Sequence, residues 1–382
     1  MINSPEIGFL AFMVYICYIC FFFFFYRNIK IYSLQPMFGN AKLIKKISLN
    51  NQLDFSWVKL IFFSLIYTFI NIFVGTDKVR MYGDRTAYLD GYLQQRPMDT
   101  IGLEYIAEIS RLLSKQDFIV FLFLVSTISI LLMLLAIKSS KNVSWAGILL
   151  FLSSSILIDF FYLFKQGIAI SLSSIAIILF IEGNFKKKLL AYLFSMTAFF
   201  FHETSVIVLI FFIFTYFVRF PFFKTISIIS SLIIYLNFNF LYNLLINSHP
   251  FLYENFKQFT IFFSNENYSQ NTFHIFKFTP FYVLSFYLYF RRHVLKNLVD
   301  KFETYFLMSL LVSFVSLLSY EIYWAYRLSL YFYLPLLLFA GRIYLLDSRY
   351  FFTQLLFLFS VLFFFMINLR FLFMILVLQG GF

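Results

Sequence analysis

Charged side chains are scarce in this chain of 382 residues: Asp, Glu, Lys and Arg make up 13% of it, about half the share found in soluble domains. Hydrophobic residues make up 62%. A water-soluble fold of this size cannot hide so much apolar surface, because folding leaves much of a chain's surface in contact with water. The composition therefore excludes a soluble protein and predicts an integral membrane protein.

The sequence also lacks the motifs of nucleotide, metal and hydrolase chemistry. It has no Walker loop and no GxGxxG, so we do not expect a nucleotide-driven pump or a cytoplasmic nucleotide-sugar enzyme. No group of His, Cys, Asp and Glu has metal-ligand spacing, and no Ser–His–Asp elbow is present. Cys17 and Cys20 form a CxxC without a second pair, and we interpret them as thiols packed in a membrane helix. We expect no cofactor and no metal.

Apolar segments long enough for membrane helices recur along the chain. A helix needs about 20 apolar residues to cross the hydrocarbon layer, and the segments predict about twelve such helices, within a range of about eleven to thirteen. They run near residues 8–26, 57–75, 118–137, 143–162, 167–182, 189–203, 205–218, 225–245, 275–290, 303–319, 328–346 and 350–369. We predict an all-α polytopic membrane protein, with residues 1–382 forming a single transmembrane domain.

Basic residues are distributed unevenly among the connections. Most of the 30 Lys and Arg residues fall in one of the two alternating sets, and such residues concentrate in cytoplasmic loops. The opposite set, which we place outside, contains the two longest loops, near 76–117 and 246–274. The net charge of +12 then follows from topology and from affinity for anionic membrane lipid, and it requires no nucleic acid partner.

The loop 76–117 mixes carboxylates, arginines and tyrosines. Arg suits phosphate, Tyr offers a stacking face, and carboxylates can bind sugar hydroxyls or act as a base. A solvated loop with an aromatic belt is the structural alternative. In its second half, Asp99 can cap an amphipathic helix on the outer leaflet, which either covers the bundle or lines a groove for a lipid-linked substrate. The apolar face of this helix would hold Ile101, Tyr105, Ile109, Leu112 and Leu113.

Three short polar stretches interrupt the later apolar runs. Lys165 either snorkels at a tight outer turn or binds a diphosphate, and Asp159 is a candidate partner for it. His202 is either a hydrogen-bonded structural residue or a group that accepts a proton or binds phosphate. Arg327 opens a helix after an aromatic turn and is a second candidate phosphate ligand.

Together these motifs resemble the EpsG-type group of Wzy-like bacterial polysaccharide polymerases. The matching stretches are Tyr82-Gly83-Asp84 with Tyr88, Gly102-Leu103-Glu104-Tyr105, Lys165-Gln166-Gly167-Ile168-Ala169, Phe201-His202-Glu203-Thr204-Ser205, and Arg327 with Tyr331-Phe332. They extend over roughly residues 75–335. The chain departs from the family pattern at Lys165, where that pattern has Arg. A lysine ammonium cannot form the bidentate hydrogen bonds that a guanidinium forms with phosphate.

The resemblance implies an inverting glycosyltransferase with a GT-C-like membrane fold at the periplasmic face of the bacterial inner membrane. Such enzymes join oligosaccharide repeat units carried on undecaprenyl diphosphate into O-antigen, capsule or exopolysaccharide, without a nucleotide and in some cases with a chain-length regulator. On this resemblance the candidates for the catalytic base are Asp84, Glu104 and His202. The diphosphate and sugars would be bound by Lys165, Arg327, Arg85, Tyr82, Tyr88 and Gln166.

Four other functions stay open. A lipid-linked oligosaccharide flippase has a similar number of helices, but it usually carries charges within its spans, and these spans have few. An O-antigen ligase shares the donor and the chemistry and differs in its acceptor. A membrane acyltransferase would expose a histidine to a cytoplasmic acyl donor, and His293 lies on that side but within a basic cluster. A non-catalytic scaffold is the simplest alternative.

Overall fold

The computed structural model describes residues 57–75, 84–114, 117–154, 156–160, 163–217, 273–318, 326–347 and 350–373, together with Thr225 and Ile233. The predicted segment 8–26, nearly all of the segment 225–245 and most of the loop 246–274 lie outside these residues, as do Cys17, Cys20 and Tyr82. The predictions made for them stay predictions.

Every element in the described ranges is helical. The α-helices are α1 (Trp57–Gly75), α2 (Asp84–Leu93), α3 (Ile101–Ser114), α4 (Phe118–Ser139), α5 (Trp145–Ser153), α6 (Ile156–Asp159), α7 (Phe164–Glu182), α8 (Phe185–Phe201), α9 (Val206–Phe217), α10 (Phe273–Leu298), α11 (Phe302–Leu318), α12 (Tyr326–Ser329), α13 (Tyr333–Asp347) and α14 (Phe351–Phe373). Two 3-10 turns, Glu203–Ser205 and Leu330–Phe332, precede α9 and α13. The prediction of an all-α fold is confirmed for these ranges, whereas the GT-C-like architecture stays a prediction.

Three helical segments of the described chain are long and apolar enough to cross a membrane, by length and composition. They are Phe118–Ser139, Phe164–Glu182 and Tyr326–Asp347. Shorter apolar helical stretches occupy Ile61–Ile72, Glu203–Phe217, Phe302–Ser316 and Phe351–Ile367. These helices are those of a membrane protein, and the count of about twelve spans stays a prediction.

The predicted segment 143–162 is not one continuous helix. Helix α5 ends at Ser153, and Ser154 then takes an extended conformation with φ −77° and ψ 161°. Its hydroxyl donates a hydrogen bond of 2.6 Å to the carbonyl oxygen of Phe151. Serine hydroxyls compete in this way with the backbone bonds of a helix, and Ser153 Oγ likewise donates to the carbonyl oxygen of Leu150 at 3.0 Å, so these two serines account for the end of α5.

The chain divides into two compact units, residues 1–206 with 337–382, and residues 207–336. In the first unit α7 packs against α4 and α8, and nearly all of its residues are buried. Helices α4 and α7 run parallel. At one end the rings of Phe121 and Phe164 lie 6.4 Å apart, and at the other Ser140 Oγ donates to Glu182 Oε1 at 3.1 Å. We call these the Lys165 end and the Glu182 end of the first unit.

Polar contacts between helices hold the rest of this unit. Between α1 and α4, Asn71 Nδ2 donates to Ser126 Oγ at 2.5 Å, and the hydroxyls of Thr68 and Thr127 lie 2.9 Å apart. Such hydrogen bonds join helices in an apolar surrounding, where burial alone does not select a partner. At the Glu182 end, Arg342 Nη1 donates to the carbonyl oxygen of Lys141 at 3.1 Å and fastens α13 to the α4–α5 connection.

The second unit is built on the pair α10 and α11. Ser285 Oγ lies 2.7 Å from Ser313 Oγ and donates to the carbonyl oxygen of Ser309 at 3.0 Å. Aromatic rings extend the packing, since the rings of Phe281 and Tyr333 have centroids 4.7 Å apart. This unit holds the motif that begins with Arg327.

Candidate functional site

Motifs that are far apart in the sequence meet at the Lys165 end of the first unit. The ring of Tyr88 in α2 packs on Phe164, the first residue of α7, with centroids 5.6 Å apart. The next residue, Lys165, forms an ion pair of 3.0 Å between Nζ and Oδ2 of Asp99, just before α3. Helices α2, α3 and α7 therefore share one location.

Helix α3 also brings the motif around His202 to this end. Gly102 lies so close to Phe201, the last residue of α8, that an added Cβ would come 2.7 Å from two carbons of the phenylalanine ring. The 3-10 turn Glu203–Ser205, which follows, packs against α7. Four of the five motifs are thus neighbours in the first unit, although they span residues 84–205 of the chain.

Lys165 lies in the first turn of α7, where a positive charge opposes the helix dipole. Leu163 precedes the helix and provides no side-chain cap. The Lys165 side chain is 23% exposed, and its partner Asp99 is 69% exposed. A lysine beside an uncapped helix N-terminus is a favourable place for an anion, because the ammonium and the backbone N–H groups attract the same charge. Here the anion beside Lys165 is the carboxylate of Asp99.

Asp99 is a partner of Lys165 that the sequence did not suggest, and the side chain of Asp159, the candidate partner, lies outside the described residues. The first backbone hydrogen bond of α3 is accepted by Thr100 and not by Asp99. The carbonyl oxygen of Thr100 accepts that bond from the N–H of Glu104 at 3.0 Å. The carboxylate predicted to cap α3 is instead paired with Lys165.

Glu104 is held by contacts to both of its carboxylate oxygens. Oε1 accepts a hydrogen bond of 2.9 Å from Arg111 Nη1, and Oε2 accepts one from the N–H of Met98. The Arg111 guanidinium also lies 5.2 Å from the centre of the Tyr92 ring and donates to the carbonyl oxygen of Arg96 at 3.4 Å. Glu104 and Arg111 thus fasten the segment before α3 to the helix itself.

Tyr92 links α2 to its neighbours and is fully buried. Its ring lies 5.7 Å from Phe118 and 5.4 Å from Phe121, both in α4. Its hydroxyl lies 2.8 Å from Ser110 Oγ in α3. The sequence showed Tyr92 only as one of several tyrosines in the loop, since a packing tyrosine and a sugar-binding tyrosine look alike there.

Helix α3 packs against α4 and α8 through a face rich in small residues and not through its large apolar face. It packs through Gly102, Leu103, Ile106, Ala107 and Ser110. The apolar face formed by Ile101, Tyr105, Ile109, Leu112 and Leu113 is exposed. Small residues allow the close approach to α4 and α8, and the large apolar residues are left on the outside, where a membrane would meet them.

His202 separates α8 from the 3-10 turn and has an extended backbone, with φ −156° and ψ 119°. Its N–H donates to the carbonyl oxygen of Ala198 at 3.0 Å, and its own carbonyl oxygen accepts from the N–H of Ser205 at 3.0 Å. Its ring nitrogen Nδ1 accepts from the N–H of Thr204 at 3.4 Å and lies 2.8 Å from Thr204 Oγ1. The sequence placed Thr204 in the motif around His202 but gave it no role.

The remaining predicted site residues are distributed as follows. Asp84 and Arg85 are the first two residues of α2. Their side chains, like the whole of Tyr82, are not among the parts that the structure describes. Tyr88 and Gln166 are buried. Tyr88 therefore holds the start of α7 in place through Phe164, and its ring is not an open platform.

Arg327 lies in the second unit, in the short helix α12, and is half-buried. The motif residues Tyr331 and Phe332 follow in the 3-10 turn and are fully buried. The ring of Phe332 lies 5.3 Å from that of Phe211 in α9. These two aromatic residues therefore anchor the segment that carries Arg327. In neither unit do three His, Cys, Asp or Glu side chains of the described residues come together as a metal site would require.

The model of the EpsG family matches residues 60–377 of the chain. The match covers most of the chain and includes both units, and it confirms the resemblance found in the motifs. No curated protein and no solved structure matches the chain.

Proposed function

The chain belongs to the EpsG family of polysaccharide-biosynthesis membrane proteins, and we propose that it polymerises oligosaccharide repeat units carried on undecaprenyl diphosphate. The reaction would take place at the periplasmic face of the bacterial inner membrane. We propose that the Lys165 end of the first unit faces this side, because the predicted topology puts the loop 76–117 outside.

One observation carries the proposal: the ammonium of Lys165 lies at the uncapped N-terminus of α7, where four family motifs meet. A diphosphate is the most strongly anionic part of a lipid-linked sugar donor. Both Lys165 and the helix N-terminus favour such an anion. Asp99 now balances the charge of Lys165 and is largely exposed, so an incoming diphosphate can replace it.

The proposed step is a single displacement with inversion. The hydroxyl oxygen of the incoming unit attacks the anomeric carbon of the growing chain, and the bond from that carbon to the diphosphate oxygen breaks. Undecaprenyl diphosphate leaves, and the hydroxyl proton passes to a base. Lys165 would stabilise the charge on the leaving diphosphate, as a preorganised charge does in a site of low dielectric, and Arg327 stays a separate candidate ligand for phosphate. The glycosyl–diphosphate bond supplies the energy, so no nucleotide is needed.

Among the three candidate bases, we propose Asp84. The carboxylate of Glu104 accepts a hydrogen bond from a guanidinium on one oxygen and from a backbone N–H on the other, so both of its oxygens are already engaged. His202 is bound through Nδ1. Asp84, the first residue of α2, is the remaining carboxylate among the three candidates.

The test is a gel of surface polysaccharide from cells with and without the gene. Deletion should reduce a ladder of chain lengths to a single repeat unit on its acceptor, and a plasmid copy should restore the ladder. Loss of every repeat would instead favour the flippase or the ligase. An unchanged set of surface glycans would overturn the assignment to polysaccharide synthesis.

A further inference from the structure

The contacts of His202 determine which of its ring nitrogens carries the proton. A backbone N–H can only donate a hydrogen bond. The N–H of Thr204 points at Nδ1 of His202 over a distance of 3.4 Å, so Nδ1 must present its lone pair. The Thr204 hydroxyl, 2.8 Å from the same nitrogen, is then a second donor.

A neutral imidazole has one N–H and one lone pair, so the tautomer follows from this contact. If Nδ1 accepts, the proton of the neutral ring lies on Nε2. Nε2 is then a hydrogen-bond donor and has no lone pair with which to remove a proton. A general base would need the opposite arrangement, with Nδ1 protonated and Nε2 free to accept.

We infer that His202 acts in the proposed polymerase, on whose function this inference rests, as a neutral hydrogen-bond donor and not as the base. Its Nε2–H would donate to a phosphate oxygen of the lipid diphosphate. Thr204 is a positioning residue, since it fixes the tautomer and the direction of the ring. The proton of the acceptor hydroxyl passes to a carboxylate elsewhere.

The backbone around His202 supports a fixed donor. Its N–H is bonded to Ala198 and its carbonyl oxygen to Ser205, both at 3.0 Å. The ring is therefore anchored at its base by two backbone bonds and along one edge by Thr204. A donor that is already oriented stabilises charge as it develops on a leaving group, because nothing needs to reorganise during the reaction.

The tautomer can be measured without any assumption about function. The chain has only 4 His, so in ¹⁵N-histidine-labelled protein in detergent the His202 signals are those missing from the spectrum of His202→Gln. Proton-coupled spectra at a pH where the ring is neutral should show hydrogen on Nε2 and none on Nδ1. Hydrogen on Nδ1 would overturn the inference, whatever the protein does.

A matched pair of variants then tests the role in cells. The Gln side chain of His202→Gln can donate but cannot take up a proton, and the ionised Glu side chain of His202→Glu has the same shape, can take up a proton and cannot donate. We expect His202→Gln to retain a ladder of chain lengths, and His202→Glu and His202→Ala to lose it at equal protein level in the membrane.

The outcomes separate this inference from the proposed function. If gene deletion leaves all glycans unchanged, the proposed function fails, and the NMR result still decides the tautomer. If deletion removes the ladder and His202→Glu retains more of it than His202→Gln, the function stands and the donor role is wrong. Equal loss in all three variants also contradicts the donor role.

Discussion

Gly102 and Phe201 are packed so closely that no side chain fits between them: a Cβ on the glycine would lie 2.7 Å from the aromatic ring. This is the contact by which α3 reaches the end of α8, next to His202. Since the ring cannot be compressed, any larger residue must displace the Phe201 side chain or push the two helices apart.

We expect Gly102→Ala to lower the free energy of unfolding by about 1–3 kcal/mol, the usual cost of overpacking. Gly91→Ala in α2 is the matched control, because nothing lies within 4 Å of its added methyl group. That change should be neutral or stabilise by about 0.5–1 kcal/mol through helix propensity. Thermal unfolding in detergent measures both. Equal melting temperatures for the two variants would contradict the packing described here.

Lys165 and Asp99 can be separated by substitution. We expect Lys165→Ala to abolish the polysaccharide ladder and Lys165→Arg to keep part of it, since only the latter retains a cation for the diphosphate. Asp99→Asn breaks the same ion pair. It should change the free energy of unfolding by less than about 1 kcal/mol, because exposed pairs contribute little, and should leave the ladder in place.

The comparison works because Lys165→Ala and Asp99→Asn both remove the ion pair, and only one removes the cation. Gels of surface polysaccharide, normalised to the membrane content of each variant, give the result. A ladder lost equally in both variants would mean that the ion pair itself, and not the binding of an anion, is what the protein requires.

Glu104 and Arg111 should behave as a structural pair. Either single alanine substitution leaves a half-buried charge without its partner, and we expect each to cost about 1–3 kcal/mol. The double alanine variant should cost less than the sum of the singles, with a coupling of about 0.5–3 kcal/mol. Thermal unfolding of the four proteins measures the coupling. Full additivity, or a Glu104→Gln protein that is stable but inactive, would instead favour Glu104 as a catalytic group.

Thr204 should affect activity through its hydroxyl. Thr204→Val keeps the shape and the backbone N–H but removes one hydrogen bond to Nδ1 of His202, and Thr204→Ser keeps that bond. A hydrogen bond contributes about 0.5–1.5 kcal/mol, so we expect polymerisation to fall by about two- to twelvefold in Thr204→Val and to stay near wild type in Thr204→Ser. The rate of transfer from a purified lipid-linked repeat unit is the measurement, and two equally active variants would exclude the positioning role.

The exposed apolar face of α3 should lie in the membrane. In a protein with Cys17→Ser and Cys20→Ser, a nitroxide attached through Leu112→Cys should be more accessible to oxygen than to a water-soluble nickel complex. Leu112 is the position to choose because it is 85% exposed. The same label at Gln94→Cys, in the turn after α2, should show the reverse order. Preferential access of nickel to position 112 would place α3 in water.

The sequence predicted those features that depend on local pattern. The bounds of α1 match the predicted segment 57–75, and α4 and α11 differ from their segments by one or two residues. Apolar composition over about 20 residues decides such helices, whatever they pack against. The start of α7 was placed too late, at residue 167, because Lys165 looked like part of a turn, whereas the helix begins at Phe164.

Features that depend on tertiary contacts could not be predicted from the sequence pattern. Lys165 pairs with Asp99, which is 66 residues away, whereas the sequence suggested only the nearest carboxylate, Asp159. Likewise, the hydrophobic pattern of α3 identified a face formed by Leu112 and its neighbours but could not show that small residues on another face make the contact. The side of a helix that packs depends on the shape of its neighbour as well as on hydrophobicity.

The nearly complete burial of α7 has a consequence for biogenesis. Its polar residues, among them Gln166 and Ser171, are covered on one side by α4 and on the other by α8, and Ser171 Oγ donates to the carbonyl oxygen of Ser129 at 2.8 Å. During synthesis α4 is available first, but α8 is still in the ribosome when α7 emerges. Only Gly183 and Asn184 separate α7 from α8, so the two helices would enter the lipid together as a hairpin. A nascent chain that stops at Asn184 would lack α8. Its α7 would be covered on one side only and would be exposed to quality-control proteolysis.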